Sequence, residues 1–129
     1  MIYSEQNTKP IWRYLLGLSS VTDVDSELLI QMNKRIVKNF LDMLILIELK
    51  RDSLNYRELA NIFRKRFGEI VDFSLLDSNL KFLEKEELIT NRTVKNKKFY
   101  ALTTKGEKKV KAFQNSKNKI LGLFLNLFI

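Results

Sequence analysis

The chain contains no cysteine and no histidine, and only one proline and four glycines among 129 residues. Without Cys or His, disulfides, thiolate or imidazole metal sites, cysteine nucleophiles and Ser-His-Asp catalysis are excluded. The scarcity of Pro and Gly, with 45% hydrophobic residues, argues against a disordered chain. We therefore expect a folded protein that is not an enzyme and that needs neither a metal nor a cofactor.

Long uninterrupted apolar runs are also missing. The first 20 residues carry Glu5, Lys9 and Arg13 between short apolar stretches, unlike a secretory signal. The apolar end ILGLFLNLFI, residues 120–129, is far shorter than the roughly 20 residues that cross a bilayer as a helix. We expect no membrane partner and a cytoplasmic, nucleoid-associated location.

Acidic residues are scarce in one short segment, where cations accumulate. The net charge is +8, and residues 91–111 hold eight Lys or Arg against a single Glu. A positive electrostatic field concentrated in this way favours binding to a polyanion such as nucleic acid. The alternative is an ordinary solvated lysine face.

Apolar residues recur at helical spacing in the first half of the chain. A short leading helix is predicted around Pro10, which is tolerated in a first turn, and Gly17 ends it. The spacing over residues 36–47 predicts a long core helix, or two helices joined near Asn33.

Two more helices and a hairpin follow. Asn55 is the candidate cap of a second helix that Gly68 ends, and Ser74 is the candidate cap of a third. On the third helix Leu76, Leu80 and Leu83 fall at i, i+4 and i+7, so we expect them to face the core, with Asn79 at the boundary of that buried face. The segments LITNRTVK and KFYALT are rich in β-branched and aromatic residues, and they predict two strands joined by a tight turn at Asn96 and Lys97. A last, lysine-rich helix completes the chain.

This order of elements predicts a mainly α fold with a two-stranded β-hairpin. The second and third helices would form a helix-turn-helix and the hairpin a wing, flanked by an N-terminal helix and a C-terminal dimerisation helix. We expect residues 1–129 to be a single winged-helix domain. It comprises an extension over 1–33, a core over 34–103 and a C-terminal helix over 104–129.

Two motifs carry a resemblance to a known family. The stretches LKFLEKEELI and FYALTTKGEKKV are similar to the patterns L-x-x-L-E-x-x-G-L-I and Y-x-L-T-x-x-G, with Glu87 in the place of the first glycine. On these motifs, residues 34–112 resemble the winged-helix domains of the PadR and MarR transcriptional regulators. The resemblance implies that Leu102 anchors the wing strand, that Thr103 caps the last helix and that Gly106 allows close packing there.

Polar and cationic side chains on the second helix, the third helix and the hairpin are the candidates for contact with double-stranded DNA. Ser, Asn and Lys can bind base edges or phosphates, and cations at a hairpin tip reach phosphates without being buried. The alternatives are a solvated helix face, a charged edge that prevents strand aggregation, and a core role for the tyrosine. The candidates are Asn55, Tyr56, Arg57, Ser74, Ser78, Asn79, Lys81, Lys85, Arg92, Lys95, Lys97 and Lys98.

Large apolar side chains near both ends of the chain predict a homodimer. The last helix carries more of them than one small domain needs, and burying each is worth roughly 1.5 to 3 kcal/mol. Packing within the chain, against the leading helix, is the alternative. The dimerisation candidates are Trp12, Leu15, Phe113, Ile120, Leu121, Phe124 and Phe128.

These patterns together favour a sequence-specific, DNA-binding transcriptional regulator that acts as a homodimer. Its third helix would enter the major groove and its wing would contact phosphates. Two alternatives remain: a winged-helix protein-interaction module, and a non-specific architectural DNA-binding protein. The sequence leaves a small-molecule effector open.

Overall fold

A computed structural model of the chain describes residues 24–127. Within that range the protein is mainly helical, with a small three-stranded antiparallel sheet. The elements are α1 (Val24–Arg51), β1 (Leu54–Asn55), α2 (Tyr56–Phe67), a 3-10 turn (Gly68–Ile70), α3 (Phe73–Lys85), β2 (Ile89–Val94), β3 (Lys97–Leu102), α4 (Thr104–Asn115) and α5 (Lys117–Asn126).

The core helix α1 is continuous, so the first of the two predicted alternatives, one long helix, is observed, and the expected boundary after residue 33 falls within this helix. Its 28 residues present one apolar face to α2, α3, α4 and the sheet. The predicted inward stripe of α3, formed by Leu76, Leu80 and Leu83, is fully buried. The main core residues are Val37, Leu41, Ile45, Leu46, Leu49, Leu59, Phe63, Leu76, Leu80, Leu83, Tyr100 and Val110.

Side-chain caps define where the middle helices begin. Asn55 caps α2 in a capping box, in which its side chain accepts from the Glu58 N–H and the Glu58 carboxylate accepts from the Asn55 N–H. The predicted cap of α3 is wrong: Asp72, not Ser74, accepts from the Leu75 N–H at 2.8 Å. Asp and Ser are comparable N-caps, and with Asp72 as the cap the helix begins at Phe73.

The sheet differs from the two-stranded prediction by one strand. β1 pairs with β3, so the order is β1-β3-β2, and Leu54 lies opposite Tyr100. A two-residue strand carries too little sequence pattern to be recognised. The β2–β3 turn is formed by Lys95 and Asn96, one residue earlier than predicted, and both have positive φ, as type I′ turns require.

A compact junction joins α3, the hairpin and α4. Glu87 adopts a left-handed φ of 60°, and the next residue, Leu88, donates to the Leu83 carbonyl. The Thr103 hydroxyl donates to the Glu87 carbonyl at 2.6 Å and accepts from the Gly106 N–H, so Thr103 caps α4 as expected. A Cβ on Gly106 would lie 2.1 Å from the Leu88 oxygen, so the expected close packing at this glycine is confirmed.

The expected C-terminal helix over 104–129 is two helices within the described residues. α4 ends at Asn115 and α5 begins at Lys117, with Ser116 between them. Residues 115–118 are all polar and interrupt the apolar pattern at this point. They supply no apolar side chain that could pack against the core and hold one continuous helix in place. The leading helix around Pro10 lies outside the described residues.

Candidate nucleic-acid interface

The starts of α2 and α3 lie side by side. The Tyr56 hydroxyl donates to the Phe73 carbonyl at 3.2 Å, and the two rings stack with centroids 6.1 Å apart and planes 19° from parallel. The three predicted residues Asn55, Tyr56 and Arg57 therefore stand next to the first turn of α3. Arg57 is exposed, whereas Tyr56 is half-buried against the core and is partly structural.

Tyr56 is a neutral hydrogen-bond donor. Burial raises the pKa of its phenol above 10.0, and the negative charge of Asp77 raises this pKa further. A higher pKa favours the protonated form, so the hydroxyl keeps its proton throughout the physiological pH range. Asn55 has a structural role too, because its side-chain oxygen caps α2.

The outward side of α3 carries the predicted reading residues. Ser74, Ser78, Lys81 and Lys85 are exposed, and Asn79 is half-buried as its position at the edge of the inner stripe suggested. The hydroxyl of Ser78 and the amide of Asn79 both donate to the Leu75 carbonyl, at 3.0 and 2.9 Å. Because both side chains donate to their own helix, the Ser78 hydroxyl oxygen and the Asn79 amide oxygen remain as acceptors.

α3 carries no net charge. Lys81 and Lys85 are offset by Asp77 and Glu84, and the Lys81 ammonium lies 3.0 Å from the Asp77 carboxylate. Both partners are largely exposed, so this i,i+4 pair is weak and can exchange for another partner. Electrostatic attraction for a polyanion must therefore come from elsewhere.

The hairpin is attached to α3. The Asn91 amide of β2 donates to the Glu84 carboxylate, which ties the start of the hairpin to the last turn of α3. Asn91 is paired with Tyr100, so the two share the sheet face directed towards the helices. Lys98 is on this same face, with its ammonium 5.5 Å from the centre of the Tyr100 ring.

The cations of the hairpin are divided between its two faces. Arg92 lies opposite Phe99 and Lys97 lies opposite Val94, so these two cations share the face away from the helices. Lys95 is in the turn. Residues 89–102 contain four cations and no acidic residue, and all four cations are exposed. The structure thus brings one predicted cation, Lys98, to the α3 side of the wing and leaves the others at its edge and tip.

Two residues that sequence reasoning missed belong to this surface. Phe73 is 60% exposed at the first position of α3, and the Arg64 guanidinium lies 5.6 Å from the centre of its ring. Helical spacing would not have identified Phe73 as exposed, because Phe73, Leu76 and Leu80 fall at i, i+3 and i+7, the spacing of a buried face. The neighbouring Arg66 is directed elsewhere, since it bonds the buried Glu48 at 3.3 Å.

Two apolar surfaces lie outside this interface. On α5, Ile120 and Leu121 are exposed and Phe124 is half-buried, whereas Phe113 of α4 is half-buried. The candidates Trp12, Leu15 and Phe128 lie outside the described residues. The second surface, which the sequence reading did not identify, is a stripe along α1. Its members recur at alternating spacings of four and three residues: Leu29, Asn33, Ile36, Phe40, Met43 and Ile47. Leu29, Ile36 and Phe40 are exposed, whereas Met43 and Ile47 are half-buried and pack against the core.

One shallow, open cleft of about 530 Å³ lies where α1 ends beside β3 and α4. Lys50 and Lys111 line it together with Asp52 and Glu107, so its charges are mixed. Over residues 24–127 there is no cluster of three or more potential metal-ligating side chains, and no helix long and apolar enough to span a bilayer.

No family model matches the chain, and no curated protein matches it in sequence. The function is therefore argued from the geometry and charge of the interface.

Proposed function

We propose that the chain is a sequence-specific, double-stranded DNA-binding transcriptional regulator that acts as a homodimer and has no catalytic activity. In this proposal α2 and α3 form a helix-turn-helix, and β2 and β3 form the wing of a winged-helix fold of the PadR or MarR kind. The supporting observation is that a hairpin carrying cations and no acid is joined through Asn91 and Glu84 to a helix with a polar outward face.

α3 is the helix proposed to enter the major groove. Ser74, Ser78 and Lys85 are exposed along one side of it, and these residue types bond base edges or phosphates. Arg57 at the start of α2 stands beside the first turn of α3, within reach of the phosphates that flank the groove. Asn55 contributes by capping α2 and holding that start in place.

The wing supplies most of the affinity in this proposal. Arg92, Lys95 and Lys97 occupy its outer face and tip, where long side chains reach phosphates at little desolvation cost. Lys98 lies over Tyr100 on the helix-facing side, the same face from which Asn91 bonds Glu84 of α3. It is thus placed to contact the edge of the groove that α3 occupies.

The homodimer is supported by the two apolar surfaces. Leu29, Ile36 and Phe40 of α1 are 42%, 37% and 46% exposed, and the alternating spacing of their stripe is that of a helix-to-helix seam. Asn33 interrupts this stripe, and its Nδ2 is buried without a hydrogen-bond partner among the residues that the structure describes. Because this atom is already buried within one chain, it is not part of the surface offered to a second copy, and Leu29, Ile36 and Phe40 form the proposed seam.

The neutrality of α3 favours one second candidate, a winged-helix module that binds protein. α3 exposes Phe73 and Phe82, at 60% and 47%, and its two lysines are matched by two carboxylates. Such a surface suits an apolar partner with few charges. A protein partner would leave the cationic hairpin without a role, so we rank this function second.

Selection of duplexes from a random pool at near-physiological salt tests the proposal, combined with the mass of the complex. We expect a palindromic consensus with half-sites about 10 to 10.5 bp apart and two chains per duplex. Salt-sensitive binding to duplexes without a consensus would contradict sequence-specific regulation and favour a non-specific architectural role. The absence of any duplex binding would favour the protein-binding module.

A further inference from the structure

Phe73 is an exposed aromatic ring whose position is fixed. Its ring stacks on Tyr56, the Arg64 guanidinium lies over it at 5.6 Å, and its backbone carbonyl accepts the Tyr56 hydroxyl. It is nevertheless 60% exposed. These contacts restrict the rotamers of the ring before any partner arrives, so little conformational entropy is lost when a partner covers it.

The position of Phe73 on α3 determines which side of the helix the ring occupies. Phe73, Asp77 and Lys81 are separated by four residues each, so they share one side of the helix. This side is the flank of α3 next to α2, between the buried stripe and the outward face that carries Ser74 and Ser78. Arg64 brings a cation next to the ring, so a partner that covers Phe73 meets an apolar surface and a positive charge together.

We propose that Phe73 is a specificity-determining residue that packs against the C5-methyl group of a thymine in each half-site. This inference rests on the proposed function. Thymine carries the apolar group that base pairs present in the major groove, and phenylalanine is among the side chains that contact it. Arg64, beside the ring, then faces the phosphate backbone next to that thymine.

The test replaces each thymidine of one half-site of the selected duplex by deoxyuridine, which removes only the methyl group. For the wild-type chain we expect one position at which the replacement weakens binding about fourfold, the effect of exposing one buried methyl group. Phe73→Ala should bind the thymidine and deoxyuridine duplexes equally. Fluorescence anisotropy titrations measure both affinities.

Phe82→Ala is the matched control, since it removes an exposed phenylalanine from the other end of the same helix. It should keep the wild-type preference for thymidine. Thermal unfolding of both variants should stay close to that of the wild type, because neither ring is buried. Equal wild-type binding to every deoxyuridine duplex, or a thymidine preference that survives in Phe73→Ala, overturns this inference while leaving the proposed function in place. Failure of the wild type to bind any duplex overturns both.

Discussion

α3 and the β2–β3 hairpin are joined to one another, yet they differ in charge and in the freedom of their polar groups. α3 is neutral, and Lys81 is paired with Asp77. The hairpin has four exposed cations and no acid. In the proposed complex this difference separates two tasks, because phosphate contacts from the hairpin provide affinity for any sequence while α3 provides discrimination between sequences.

The largest expected effect comes from breaking the junction that holds these two regions together. Gly106→Ala places a methyl group 2.1 Å from the Leu88 backbone oxygen, so the start of α4 must shift away from the start of β2. We expect a loss of about 3 kcal/mol in the free energy of unfolding, at the upper end of overpacking effects. Urea denaturation measures it.

Gly122→Ala is the control for that substitution. A Cβ there meets nothing within 4 Å, and the residue lies inside α5. It should leave stability unchanged or raise it by up to about 1 kcal/mol, as Ala does in place of Gly within a helix. Equal behaviour of the two variants would show that the junction is not tightly packed.

Removing cations from the hairpin should weaken binding to all sequences alike. Lys97→Ala with Lys98→Ala should reduce affinity for both the selected and a scrambled duplex, and lower the slope of log K against log salt by about 1.8, or 0.9 per lost contact. Lys108→Ala with Lys109→Ala, two exposed lysines of α4, removes the same charge. A similar loss in that control would mean that net charge alone determines binding.

Neutralising Asp77 should reduce the difference in charge between α3 and the hairpin. Asp77→Asn releases Lys81 from its ion pair and gives α3 a net positive charge. We expect tighter binding to scrambled duplexes, a salt slope steeper by about 0.9, and poorer discrimination. Unchanged binding to scrambled DNA would argue that Lys81 does not reach the duplex.

The same variant has a second, independent readout. The Asp77 carboxylate contributes to raising the pKa of Tyr56, so its removal should lower that pKa towards 10.0. NMR titration of ring-labelled tyrosine follows it, with Tyr56→Phe to assign the signal. A pKa that does not fall would show that burial and the charges of Tyr100 and Asp72 are responsible without Asp77.

The smallest expected effect concerns backbone strain between the two regions. Glu87 has a φ of 60°, which an L side chain adopts at a cost, and a glycine there would relieve it. Glu87→Gly should stabilise the fold by roughly 0.5 to 1 kcal/mol, since part of the gain is offset by the greater freedom of glycine in the unfolded chain. Thermal unfolding measures the gain, and DNA affinity should not change. Destabilisation would indicate that the Glu87 side chain makes a contact worth more than the strain.

Local signals in the sequence identified much of the fold. The Asn55 cap, the Gly68 end of α2 and the Thr103 cap depend on neighbours within a few residues, and all three are present. The α3 cap was wrong by two residues, because Asp72 and Ser74 have similar energies as helix caps. The β2–β3 turn was wrong by one residue, because Lys95 and Lys97 have similar energies as partners of Asn96 in a two-residue turn. β1 was missed, since two residues form a strand only where β3 is already present to pair with them.

The candidate site was less predictable than the fold. Residue type selected the cations of the hairpin, but not the face on which each one lies, which depends on the register with β3. With Ser74 as the candidate cap of the third helix, Phe73 was expected in the loop before that helix. Its exposure and its contacts with Tyr56 and Arg64 depend on two helix starts meeting in space.

The sequence by itself determined most of the helices and the two strands of the hairpin, where most of the charge lies, and which apolar residues of α3 face inward, because these depend on periodicity and on neighbours along the chain. Only the tertiary structure decided that the hairpin is joined to α3, that Lys98 is on a different face from Arg92, and that Phe73 stays at the surface. Those facts arise from contacts between residues far apart in sequence, whose energies no local pattern contains.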